Sequence, residues 1–170
     1  MTPDDLREVQ APLKQRYRDQ PESALVTLAA EGSLESGAIA CRVETGRALV
    51  VAGLHPASGG SGMQACSGDM LLEALVACAG VTMQAVATAI GVMIRQGSVR
   101  AEGDLDFRGT LGVDREIAVG FREIRLTFVL DTGATAEQRE TLLRLTERYC
   151  VVLQTLRGSA KLITSQRVAG

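Results

Sequence analysis

The chain has no tryptophan, and its two tyrosines and three phenylalanines are 3% of its residues. Single-stranded nucleic acid stacks its bases on aromatic platforms, and the scattered rings of Tyr17, Phe107, Phe121, Phe128 and Tyr149 do not make one. Charge of one sign is equally scarce. The 18 Lys plus Arg against 20 Asp plus Glu leave a net charge of -2, too weak a field to gather nucleic acid or an anionic membrane. One histidine, His55, accompanies four cysteines, Cys41, Cys66, Cys78 and Cys150, none in CxxC spacing. That argues against a zinc site and against a disulfide-stapled secreted scaffold. The stretch from Thr2 to Arg7 is polar and acidic, without the basic and apolar regions of a secretory signal, so a cytoplasmic location is expected. The longest apolar region, Met70 to Ile94, is interrupted by Glu73 and Gln84 and rich in Ala and Gly, which favours a buried core helix over a membrane span.

What remains is an ordinary balance for one soluble domain: 170 residues, 46% hydrophobic and 22% charged, with a core that must be aliphatic. Pro3 at a first helical position, after Thr2 as N-cap, opens an N-terminal helix with Leu6, Val9, Leu13 and Tyr17 near helical spacing, and Pro12 is expected to interrupt or kink it. Three short β-like runs follow, Ala24 to Ala30, Ala38 to Val43 and Ala48 to Gly53, separated at Gly32, Gly37 and Thr45-Gly46, and they read as a meander. Strand alternation puts Ile39, Cys41 and Val43 on one face and Arg42 on the other. The loop from His55 to Gly68 holds four of the 18 glycines but no Gly-Lys-Ser/Thr phosphate signature. Asp69 then stands as a candidate N-cap for a long central helix reaching about Gly91.

Beyond Gly97 apolar residues alternate, with Val99, Ala101, Leu105 and Phe107 on one face and Arg100, Glu102, Asp104, Asp106 and Arg108 on the other. Ile124, Leu126, Phe128 and Leu130 alternate again as an antiparallel partner. Thr135 to Gln138 has capping-box spacing and opens a second helix carrying Leu142, Leu145, Tyr149, Val152 and Leu156. Arg157-Gly158-Ser159 ends it, and Ala160 to Val168 reads as a final strand. The order of elements indicates α+β architecture.

Two cysteines fall in helices, and each fits two roles. Leu71, Leu75, Cys78 and Thr82 share a stripe, and Cys150 groups with Leu143 and Leu153, so both thiols suit a core as well as chemistry. His55, without clear partners, reads as a surface-loop residue. The run Gly68-Asp-Met-Leu-Leu-Glu-Ala-Leu-Val-Ala-Cys78, preceded by the Gly-rich loop and followed by Tyr149-Cys150-Val151-Val152, resembles the osmotically inducible protein C (OsmC) and organic hydroperoxide resistance (Ohr) family. The likeness runs from roughly Ala24 to the C-terminus, which divides the chain into an N-terminal helical extension, 1–22, and an OsmC-like domain, 23–170. The family starts the helix before its first cysteine with Pro-x-Glu-Leu-Leu and usually follows its second cysteine with proline; here Ser67 and Val151 stand in the prolines' places.

The resemblance implies an OsmC-like fold of curved antiparallel sheets around two central helices, assembled as an intertwined homodimer. It implies a thiol-dependent peroxidase that reduces organic hydroperoxides without metal, flavin or haem, restored by an external dithiol such as one of lipoyl type. Cys78 would be the peroxidatic thiol and Cys150 the resolving thiol, which condenses with the sulfenic acid. A free cysteine with pKa near 8.5 is only about 3% ionised at neutral pH, so the attacking thiolate needs a stabilising group. The family uses an early arginine, matched best by Arg42 and next by Arg47, and an acidic residue, matched by Asp69. Cys66 is extra, and is a second candidate to resolve Cys78. The alternative is a non-catalytic protein on the same fold that binds a small apolar ligand at the dimer interface, with the cysteines as core residues.

Overall fold

The long apolar run forms helix α2 (Ser67–Ala89), around which the rest packs. Leu72, Leu75, Val76, Ala79, Met83, Val86 and Ala87 of α2 are buried in one cluster with Val99, Ala101, Leu142 and Cys150. By length and composition α2 could also cross a membrane, but these same residues form the centre of a protein core. The structure is a computed structural model that describes residues 3–34, 41–43, 52–158 and 160–166.

Strands β1 (Leu25–Leu34), β2 (Cys41–Val43), β5 (Ile94–Asp106) and β6 (Phe121–Thr132) form an antiparallel sheet in the order β2-β1-β5-β6. Helix α2 packs against β1, β2 and β5, and also against helices α4 (Ala136–Tyr149) and α5 (Val151–Arg157). The α+β architecture is as expected. Thr135 closes the expected capping box on α4, its hydroxyl accepting from the Gln138 N–H and its own N–H donating to the Gln138 side chain.

Several boundaries move, each for a physical reason. Gly32 lies inside β1, opposite Val43 on one side and Val99 on the other, because strand partners on both edges outweigh its weak intrinsic preference. The run ending at Gly53 does not extend the meander within the described residues; β3 (Ala52–Gly53) pairs in parallel with β4 (Ala65–Cys66), and 44–51 lie outside them. Helix α2 starts two residues before Asp69, with Cys66 as N-cap and Ser67 at the first helical position. The expected cap residue therefore stands within the first turn.

Phe107 and Arg108 leave the strand for a short helix, α3 (Phe107–Thr110), capped by the Asp106 carboxylate accepting the Arg108 N–H at 3.1 Å. Asp106 is buried rather than solvated, because the register shifts between Asp104 and Leu105 and the Arg108 guanidinium pairs with its carboxylate at 2.6 Å. Hydrogen bonding and charge from Arg108 hold the Asp106 carboxyl below the usual range. Residues 160–166 are exposed and irregular rather than a closing strand, since they have no sheet partner among the described residues.

Helix α1 (Pro3–Asp19) runs through Pro12 without a break. Pro12 is exposed, where water can take the carbonyl left without its bond. The opposite face buries Tyr17, which joins Ala24, Phe107 and Leu111 in a second cluster with Leu13 packed against it. The Tyr17 hydroxyl donates to the Ala57 carbonyl at 2.5 Å and the Gln10 amide to the Ser58 carbonyl at 3.2 Å. These bonds tie α1 to the 3₁₀ turn Pro56–Ser58 in the Gly-rich loop. Tyr17→Phe keeps the ring and leaves the Ala57 carbonyl unpaired, so a loss of about 1 kcal/mol is expected in urea unfolding; an unchanged midpoint would show that the bond holds nothing.

Candidate active site

Cys78 lies near the middle of α2, half-buried at the edge of the main cluster. Cys150 sits at a break between helices and is fully buried. Its N–H donates to the Thr146 carbonyl at 2.9 Å, closing α4, and its carbonyl accepts from the Gln154 N–H at 2.9 Å, opening α5. With φ -71° and ψ 106° it is extended. The sequence pattern suggested one continuous helix here. The buried Thr146 hydroxyl bonds back to the Leu142 carbonyl at 2.8 Å, an arrangement that bends helices, and two β-branched valines follow the break.

The break brings the thiols together. Burial is the largest influence on Cys78 and opposes its ionisation, but four donors outweigh it: the Val152 N–H, the Cys150 thiol, the Thr82 hydroxyl and the Val151 N–H. The net effect lowers its pKa below that of an ordinary thiol. Cys150 goes the other way. Burial first, then its hydrogen bond to Cys78 and the charge there, push it up to about 11, although the Leu153 and Val152 N–H groups act against the rise. One thiol is thus prepared to be the anion and its neighbour to keep the proton it donates.

Two of these donors lie at the start of α5, where first-turn N–H groups have no intrahelical partner. Position 151 is where the resemblance expects proline, which has no N–H to give. Thr82 is one turn beyond Cys78 and was visible in the stripe only as a core filler; a hydroxyl four residues from a reactive thiol is the signal that could have marked it. The backbone donors had no signal in residue type, because any non-proline residue supplies an N–H.

Arg42 stands in β2 opposite Ser33, in a strand that packs against α2. Arg47 lies outside the described residues. Asp69 is nine residues before Cys78, about 13.5 Å along the helix and half a revolution round it. Burial raises its pKa, and the nearby charge of His55 acts against that rise. Cys66 is twelve residues from Cys78, about 18 Å of helical rise, and so is out of reach as its resolving thiol. His55 caps the turn Pro56–Ser58, its Nδ1 accepting the Ala57 N–H at 3.0 Å.

A cavity of about 550 Å³ lies between β6, α2, α4 and α5, with walls that include Leu75, Ile124, Phe128 and Leu153 and with Arg157 and Glu147 among its polar residues. Leu75 is one turn before Cys78 and Leu153 one turn after Cys150, so the cavity comes within a helical turn of each thiol, though neither cysteine is in its wall. The described residues contain no cluster of three or more His, Cys, Asp or Glu side chains able to hold a metal ion.

The donor set makes a specific expectation. Val151→Pro removes one N–H at a first helical position, where proline fits, and Thr82→Val removes the hydroxyl. Each loses about 1 kcal/mol of thiolate stabilisation, so iodoacetamide should alkylate Cys78 about fivefold more slowly at neutral pH in either variant. Unchanged rates in both would show that these groups do not act on the sulfur.

A family model for OsmC-like proteins matches residues 60–165, a stretch that includes Cys66, Cys78 and Cys150. No curated protein matches the chain. Among solved structures, the chain is similar to an OsmC-like hydroperoxide resistance protein from Jannaschia sp. CCS1, at 15% identity and a TM-score of 0.61, over 85% of this chain and 95% of that one. It is also similar to an OsmC-like protein from Mycoplasma pneumoniae, at 16% identity and a TM-score of 0.55, over 79% of this chain and 86% of that one. At such identities the likeness is one of fold. The family model, spanning more than half the sequence, carries the assignment: this chain belongs to the OsmC-like protein family.

Proposed function

We propose that the chain is a thiol-dependent peroxidase that reduces organic hydroperoxides through Cys78 and Cys150. What supports this reading is that Cys78 and Cys150 meet in one core cluster, with ionisation favoured on Cys78 and opposed on Cys150. In the first step the Cys78 thiolate attacks the terminal peroxide oxygen. The O–O bond breaks, an alkoxide leaves and takes up a proton as an alcohol, and Cys78 becomes a sulfenic acid. In the second step the Cys150 sulfur displaces water from that sulfenic acid and closes a disulfide. An external dithiol, of lipoyl type in this reading, then reduces the bridge and is itself oxidised.

Arg42 is the proposed thiolate partner, supported by the packing of its strand on α2. Asp69 is the proposed acidic companion from the family pattern; its place near His55 requires it to act on a site other than the Cys78 of its own chain. An intertwined homodimer is consistent with that requirement and with the apolar residues left exposed by one chain, among them Val151, Leu162 and Ile163. A reducing cytoplasm belongs to the same reading, since it keeps the pair available as thiols.

The cavity beside the pair also favours a second reading, a binding protein that holds a small apolar ligand without chemistry. Thiol titration separates the two. One equivalent of cumene hydroperoxide should remove two thiols within seconds to minutes in the peroxidase, Cys78→Ser should abolish the loss, and Cys150→Ser should leave a sulfenic acid that dimedone traps. Arg42→Ala should slow the reaction tenfold or more. A binding protein loses almost no thiol in any of these.

The pH dependence follows from the sign of the Cys78 shift. A lowered pKa means that the reactive anion disappears only as pH falls below the range of an ordinary thiol. The rate of thiol loss should therefore rise with pH and level off before free cysteine does. A profile that climbs alongside free cysteine would remove Cys78 as the attacking group.

A further inference from the structure

A second cavity, of about 380 Å³, lies at the start of α2, remote from the thiol pair. His55, Cys66, Leu54, Leu71, Phe107 and Phe121 are among its walls, and none of the described residues lining it is Lys, Arg, Asp or Glu. The pairing of β3 with β4 sets Gly53 opposite Cys66, so the chain two residues beyond Gly53 carries His55 past the start of the helix. Cys66 is the N-cap of α2, yet its side chain makes no capping bond, and the thiol is free.

The Nδ1 of His55 accepts the Ala57 N–H at 3.0 Å, which puts the ring N–H on Nε2. The ring stacks on Phe107 with centroids 5.0 Å apart. The turn beneath it is braced by the Tyr17 and Gln10 bonds from α1, and Gly59, at φ 94°, has no room for a Cβ, which would lie 2.6 Å from Val9 Cγ1. With Nδ1 engaged in the turn, Nε2–H is the group His55 has left to donate. His55 and α1 both lie outside the stretch matched by the family model.

These features select a chemistry. A donor held near a thiol, in an apolar cavity, suits a ligand with one oxygen to be polarised and one carbon to be attacked. Among the described lining residues there is no lysine or arginine, which disfavours anionic disulfides of low molecular weight. A hydroperoxide would convert Cys66 to a sulfenic acid with Cys78 too far away to resolve it.

We propose that this cavity is a second, covalent ligand site, in which Cys66 captures a small uncharged α,β-unsaturated carbonyl compound while His55 Nε2–H holds the carbonyl oxygen. Cys66 Sγ bonds to the β-carbon, the C=C π pair moves toward the oxygen as an enolate, and the thiol proton passes through water to the α-carbon. The product is a saturated carbonyl thioether; there is no leaving group and no external oxidant or reductant. The imidazole N–H stabilises the developing enolate charge by hydrogen bonding.

The test uses the full chain and trans-2-hexenal at one equivalent, stopped with borohydride and mapped by peptide mass spectrometry. The adduct should form on Cys66 ahead of Cys41, Cys78 and Cys150, at least tenfold faster than on free cysteine. His55→Asn keeps a side-chain acceptor for the Ala57 N–H but removes Nε2–H, and should slow labelling about tenfold. Leu71→Trp, which fills the cavity, should abolish the preference for Cys66. Both variants should retain hydroperoxide-dependent thiol loss, so failure here is distinct from failure of the peroxidase reading. In the unaltered protein, saturated hexanal, which cannot undergo conjugate addition, should slow Cys66 labelling by occupying the cavity. Even labelling of all thiols, a first adduct on Cys78, an unaffected rate in His55→Asn, or no protection by hexanal would each overturn the proposal.

Discussion

The thiol of Cys150 donating to Cys78 depends on a helix that stops at the right residue. Had α4 continued past Tyr149, the backbone around Cys150 would have bonded only within the helix. At the break, the Val151 and Val152 N–H groups are released to the sulfur of Cys78, and the Cys150 side chain is buried against the same central helix. The main core holds that arrangement in place, because Leu142 on α4 and Cys150 itself are buried with Leu75, Val76 and Ala79 of α2. Burying such apolar surface is the dominant favourable contribution to folding, so the dithiol is positioned by the largest force available to the chain.

Two chemically identical side chains become different through position alone. Both are desolvated, which by itself would raise both pKa values. Cys78 collects two N–H groups from the start of α5, the Cys150 thiol and a threonine hydroxyl, whereas Cys150 faces the charge that those donors favour. The asymmetry needs only hydrogen bonds to a sulfur. A guanidinium contributed by Arg42 would add to the same direction, and the donors already described lower the demand placed on it.

The two ends of the N-terminal half of α2 differ in character. At Cys78 the sulfur is surrounded by donors and by a second thiol. At Cys66 the walls are apolar, and the fixed group is the imidazole of His55, positioned by a turn that α1 braces through Tyr17 and Gln10. The N-terminal helix is thus a structural support for the Gly-rich loop, and the ring stacked on Phe107 belongs to both the cavity wall and the second core.

Composition and periodicity alone determined the aliphatic core, the long central helix, the alternating strands from Val99 and from Ile124, and the capped start at Thr135, because each is written in local spacing and side-chain type. The family likeness was legible in the run from Gly68 to Cys78. Tertiary structure alone decided the break at Cys150, the burial of Asp106 and the docking of α1 on the Gly-rich loop. It also supplied the Val151 and Val152 donors, which no residue code announces. These depend on backbone groups and on contacts between distant segments, and such contacts exist only once burial of α2 has drawn the segments together.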